Sequence, residues 1–146
     1  MKTFSQKPAD VTRKWYVIDA SQAPLGRVST MAARLLIGKD KPTVSAHVDG
    51  GDFVIITNAA QLKVTGNKLK AKIYYRHSGY PGNIRQRTLE EQLTIDPTTV
   101  ILKAVRGMLP VNKLRPGRLA RLKIYASEEH EHEAQKPETL SLKETK

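Results

Sequence analysis

The sequence predicts a single α/β domain with parallel neighbouring strands. Its 146 residues suit one domain, long enough to bury roughly two thirds of the surface the unfolded chain exposes. Apolar runs rich in β-formers alternate with stretches of helical period, and no internal repeat breaks the alternation. The first strand, helix and strand in this order have the size of a right-handed βαβ crossover, which makes the two strands parallel.

Each element has its own signal. WYVIDA (Trp15 to Ala20) and DFVIITNA (Asp52 to Ala59) are short apolar runs that suit strands buried on both faces. Between them Leu25, Val28, Ala32, Leu35 and Leu36 recur at helical spacing, with Pro24 placed for the first turn and Gly38 for the stop. KIYYRH (72–77) is a candidate third strand and is followed by a glycine and proline loop, SGYPGN (78–83). TLEEQL (88–93) reads as a short helix. PTTVILKAVRGML (97–109) reads as a longer one, with Pro97 at its start, Thr98 or Thr99 near its cap, and Val100, Ala104, Val105 and Met108 on one face. Pro116 and Gly117 argue against a regular helix in the basic stretch that follows, and RLKIYA (121–126) is the candidate last strand. The ends are poor in apolar residues. They read as an extended N-terminal segment (1–12) and a polar C-terminal tail (128–146) around a domain of residues 13–127.

Composition removes several function classes. The chain has no cysteine, which excludes thiol catalysis, cysteine zinc fingers and iron–sulfur ligation. No apolar run approaches the roughly 20 residues of a membrane span. The opening MKTFSQKPADVTRKW lacks the apolar core of a signal peptide. A soluble cytoplasmic protein is expected.

Catalytic motifs find no foothold. Gly26 stands alone at the start of the first helix, without a Gly-rich phosphate loop, so Arg27 there is at most free to meet an anion. His47 and His77 are isolated, and Asp49 and Asp52 flank Gly50 and Gly51 as in a turn into a strand. EEHEHE (128–133) pairs His130 and His132 with glutamates but has no second cluster to complete a metal site, and reads as a solvated tail. No enzyme, no cofactor, no metal and no small-molecule substrate are expected.

Charge is the informative property. The chain carries +11 overall, and residues 1–126 hold 22 basic against 8 acidic residues, a balance of +14. Residues 63–87 hold seven bases and residues 97–126 seven more, with no acid in either block. Ordinary surfaces intersperse both signs because a single-sign field repels itself. A bound polyanion offsets such a field. In the first block Lys68, Lys70, Lys72, Arg76, Arg85 and Arg87 are interleaved with Tyr74, Tyr75, His77 and Tyr80: cations neutralise phosphates, and flat rings stack on bases. One of the adjacent Tyr74 and Tyr75 should point inward, since neighbouring strand residues face opposite ways. In the second block Asn112, Lys113, Arg115, Arg118, Arg121 and Lys123 follow an irregular path broken by Pro110, Pro116 and Gly117, which denies a membrane surface the continuous apolar face it needs. Irregular basic loops without a helix-turn-helix or zinc finger favour structured RNA.

At these residues the chain resembles the universal large-subunit ribosomal protein thirteen family, in its bacterial form, from Trp15 to about Pro137. The stretches that carry the resemblance are WYVIDA, PLGRVSTMAARLLIGK, GDFVIITNA, VTGNKLKAKIYYRHSGYPGN, AVRGMLPVNKL, LKIYA and EHEHEAQKP, in that order. It departs from the family at Val111, where lysine is usual, and at Glu131, where proline is usual. The resemblance implies a three-layer α/β domain with a central, mostly parallel sheet. It also implies a structural constituent of the large ribosomal subunit that binds its RNA, supports early assembly and sits among neighbouring ribosomal proteins. By position it assigns contacts to Gly66, Lys68, Tyr75, Arg76, His77, Tyr80 and Gly82, and to Arg106, Gly107, Met108, Pro110, Asn112 and Lys113. A substoichiometric RNA-binding assembly factor, or a phosphate-binding α/β enzyme, are the alternatives.

Overall fold

The two apolar runs form β1 (Trp15–Asp19) and β2 (Phe53–Thr57), which lie side by side and parallel with Trp15 opposite Phe53 and Asp19 opposite Thr57. The structure, a computed structural model, describes residues 4–142. Between the strands runs α1 (Leu25–Ile37), ended by Gly38, whose N–H donates to the carbonyls of Arg34 and Leu35 at φ 81°. Only glycine adopts that left-handed conformation without a Cβ penalty.

Two shorter strands complete the central sheet. β5 (Leu122–Ile124) pairs with β2, and β6 (Glu138–Leu140) pairs with β1, giving the order β5-β2-β1-β6 with every neighbour parallel. The period of two sorts residues between the faces. Ile18, Val54, Ile56 and Leu122 join Val28, Ala32 and Leu36 of α1 and Ile101 and Val105 of α4 (Pro97–Met108) in one apolar core, so both helices cover the same face. On the opposite face Trp15 stacks on Phe53 with ring centroids 4.2 Å apart. That face is covered by residues 128–137, which include a turn of 3-10 helix (Glu133–Gln135) and line a cleft with Val17, Asp19 and Thr57. The three layers are thus a helix pair, a parallel sheet and an irregular C-terminal segment.

Several expectations change here. Residues 128–142 read by composition as tail, yet they supply an edge strand and the second cover of the sheet; an edge strand needs few apolar groups, and of β6 only Leu140 packs against the core. Residues 143–146 of the chain lie outside the described residues, as do the first three. KIYYRH is a strand, β3 (Ile73–His77), but it pairs antiparallel with β4 (Ile84–Thr88) in a separate two-stranded ribbon. A short helix, α2 (Lys68–Ala71), precedes the ribbon, and α3 (Leu89–Ile95) follows it, started by a capping box between Thr88 and Glu91. The cap of α4 is Asp96, which accepts from Thr98 and Thr99, so both threonines lie beside the cap as expected, whereas Met108 at the far end of the helix is exposed. Finally, α5 (Arg115–Ala120) is a helix in spite of Pro116 and Gly117. Pro116 sits in its first turn, where a missing N–H costs nothing.

Candidate nucleic-acid interface

The second basic block divides between structural and exposed side chains. Arg118 and Arg121, expected on an open basic path, are only 3% and 8% exposed. The guanidinium of Arg121 forms a two-pronged pair with Asp49, Nη2 donating to Oδ1 at 2.7 Å, and it also donates to the Leu36 carbonyl at the end of α1. Arg118 approaches the same carboxylate at 3.6 Å. The geometry depends on the glycine turn beside it: a Cβ at Gly51 would lie 1.9 Å from the Leu36 carbonyl oxygen. Lys41 closes the next turn, donating to Asp52 and to the carbonyls of Thr12 and Gly50. This group therefore ties β2, α1 and α5 together, and its arginines are not available to phosphate. Sequence reasoning misplaced them because it counted charge without a partner for Asp49.

Arg115 is half-buried and donates to the carbonyls of Leu109 and Pro110, both at 3.1 Å, fixing the turn after α4. Lys123 is half-buried within β5. Asn112 accepts from the Leu114 N–H, while Lys113 and Val111 are exposed. Arg106 is exposed in the last turn of α4, and Arg27 in the first turn of α1. A contact from Thr30 Oγ1 to Met108 Sδ at 3.6 Å joins the first half of α1 to the end of α4.

The first block makes a different object. In the β3–β4 ribbon Tyr74 lies opposite Arg87, Tyr75 opposite Gln86, Arg76 opposite Arg85 and His77 opposite Ile84. Cross-strand partners share a face, so Tyr74, Arg76, Arg85 and Arg87 point one way and Tyr75, His77, Ile84 and Gln86 the other. Tyr74 is half-buried and the other seven are exposed. Two arginines directly opposite one another destabilise the ribbon, and a two-stranded ribbon with both faces in solvent is marginal to begin with. Tyr74 is the inward tyrosine of the pair: the Lys103 ammonium lies 4.7 Å from its ring centre and that of Lys72 5.8 Å, and burial pushes its phenol above the usual value. Lys103 was not singled out from the sequence, although it stands one turn before Arg106. It carries the cationic face of the ribbon onto α4. Lys68 and Lys70 are exposed on α2, and Lys72 leads into β3. The tip turns through Gly79 and Gly82, at φ 96° and 73°, and leaves Tyr80 74% exposed.

The histidine-rich stretch is packed rather than solvated. His132 Nε2 lies 3.1 Å from the Tyr125 hydroxyl, and its ring centre 5.0 Å from that of Trp15. Among the described residues no group of three or more histidine, aspartate or glutamate side chains is placed to hold a metal ion. No helix in them is long and apolar enough to cross a membrane.

Asp49 and Asp96 are among the carboxylates that tie stability to pH. Burial opposes ionisation of Asp49, but hydrogen bonds from Arg121 and the charges of Arg121 and Arg118 outweigh it and hold the group below its ordinary value of 3.8. The hydroxyls and N–H groups of Thr98 and Thr99 do the same for Asp96. Both groups bind protons less readily folded than unfolded. Their stabilisation is complete above about pH 4 and is lost as pH falls through the lowered folded-state values. Urea titrations between about pH 7 and pH 2 should show this loss, and Asp96→Ala should remove part of it while costing about 1 kcal/mol at neutral pH.

The chain is similar to known proteins over nearly its whole length. The family model described as Ribosomal protein L13 matches residues 13–131. A protein of Cupriavidus metallidurans named large ribosomal subunit protein uL13 is 53% identical over 142 residues, 97% of this chain and 100% of that one. Proteins of the same name from Salinispora arenicola and Nitratidesulfovibrio vulgaris (strain Miyazaki F) are 52% and 50% identical, covering 99% and 98% of this chain and 98% and 99% of their own length.

Proposed function

The chain belongs to the Ribosomal protein L13 family, and on that premise we propose that it is a constituent of the large ribosomal subunit that binds large-subunit ribosomal RNA. Family membership is also the ground for excluding an enzyme. The observation that carries the RNA reading is the pairing of Arg76 with Arg85, beside Arg87, on a ribbon exposed on both faces. Such a face is unfavourable alone and becomes favourable when phosphates neutralise it. Lys68, Lys70, Lys72, Lys103, Arg106 and Lys113 extend the same field, and Arg27 adds an exposed cation in the first turn of α1. His77, Tyr80 and Asn112 add donors and a ring at its edges.

In this reading the protein works in the cytoplasm, sits among other ribosomal proteins and enters the particle early in assembly, its ribbon ordered by the RNA it holds. Binding of protein-free large-subunit ribosomal RNA at four or five salt concentrations tests it. Each neutralised phosphate steepens the log K against log salt line by roughly 0.7 to 0.9, so a steep line is expected. A flat one would remove the cations from the interface.

A further inference from the structure

The arginine side of the ribbon accounts for phosphate binding, but the other side carries different chemistry. There Tyr75 and Ile84 are 59% and 56% exposed on adjacent strands, with His77 directly opposite Ile84. The Gly79 N–H donates to His77 Nδ1 at 2.9 Å, which leaves Nε2 as the donor that the ring offers to a partner. An aromatic, an isoleucine and an imidazole in solvent are poor choices for a ribbon that has only to stay soluble. They are good choices for a surface that receives flat, partly apolar groups.

We propose that this second side receives unpaired nucleobases, so that the RNA partner encloses the ribbon, with phosphates on the arginine side and splayed bases on the tyrosine side. The proposal rests on the reading of the partner as large-subunit ribosomal RNA and narrows its class: a junction or looped region, not one continuous duplex. A duplex keeps its base faces inside its own stack and offers backbone and edges alone, whereas single-stranded loops present faces that tyrosine stacks on without regard to sequence. Charge selects RNA over a protein surface. Residues 63–87 contain no acid, and Lys68, Lys70 and Lys72 lie just before the ribbon, so the potential around Tyr75 draws a polyanion to both sides.

The test compares full-length wild type with Tyr75→Ala/Ile84→Ser, Tyr75→Phe and Arg76→Ala/Arg85→Ala on protein-free large-subunit ribosomal RNA. Hydroxyl radicals read the backbone, and base-modifying reagents read the unpaired bases. Wild type should protect both. Tyr75→Ala/Ile84→Ser should lose the base protections and bind roughly tenfold or more weakly, with the salt slope unchanged. Tyr75→Phe, which keeps the ring, should retain them, and Arg76→Ala/Arg85→Ala should lose backbone protections and flatten the slope. The replaced side chains are exposed, so no variant should unfold appreciably below wild type. Base protections that survive Tyr75→Ala/Ile84→Ser would overturn the proposal. So would a variant that binds RNA normally but fails to enter subunits, because the face would then belong to a neighbouring protein. Failure of the underlying RNA reading looks different: wild type itself would protect no backbone.

Discussion

Replacing Arg121 by methionine lowers the free energy of unfolding by about 3 to 5 kcal/mol, because it leaves Asp49 ionised, largely buried and without its two-pronged partner. Arg118, 3.6 Å away and with its Nε making no hydrogen bond, is badly placed to take over. The change also frees the Leu36 carbonyl, which now accepts from Arg121 Nη2 at 3.1 Å. Urea denaturation measures the loss. A change below about 0.5 kcal/mol is the size expected of an exposed cation, and it would mean that the cluster of Asp49, Arg118 and Arg121 is not the joint between β2, α1 and α5.

Removing the ribbon's arginines has the opposite profile. Arg76→Ala/Arg85→Ala/Arg87→Ala should reduce the magnitude of the log K against log salt slope by about 2 to 3 on large-subunit ribosomal RNA. Stability should hold or rise slightly, since the change abolishes a like-charge pair across the strands. The two sets of arginines differ in burial, and these two measurements should separate them: loss of stability for the first, loss of salt dependence for the second. A triple variant with unchanged slope and unchanged folding would take the ribbon off the RNA surface.

The contrast shows where sequence reasoning reaches. The strands at 15–19 and 53–57, α1 and its glycine stop were legible because burial on both sheet faces and a period of 3.6 leave direct traces in residue choice. β4, with the sequence IRQRT, left none: a strand exposed on both faces has no apolar alternation to read. β6 was hidden for a related reason, since it is a three-residue edge strand that packs only Leu140 against the core. Pro116 misled because proline breaks helices at most positions yet suits a first turn, and the choice depends on where the helix starts. Among the charges, the acid-free block 63–87 pointed to an exposed field, and the structure places its cations at the surface. Arg118 and Arg121 look identical to those cations in the sequence. Their partner, Asp49, lies 72 positions from Arg121, a distance no local pattern spans.

The central claim is that this chain is a large-subunit component held by RNA. Sedimentation of a tagged copy expressed in cells tests it most directly. The protein should co-sediment with large subunits and with whole ribosomes at close to one copy each, and salt-washed particles from the Arg76→Ala/Arg85→Ala/Arg87→Ala variant should lose it first. A protein that stays at the top of the gradient, or that appears substoichiometrically and only on immature particles, would contradict the account.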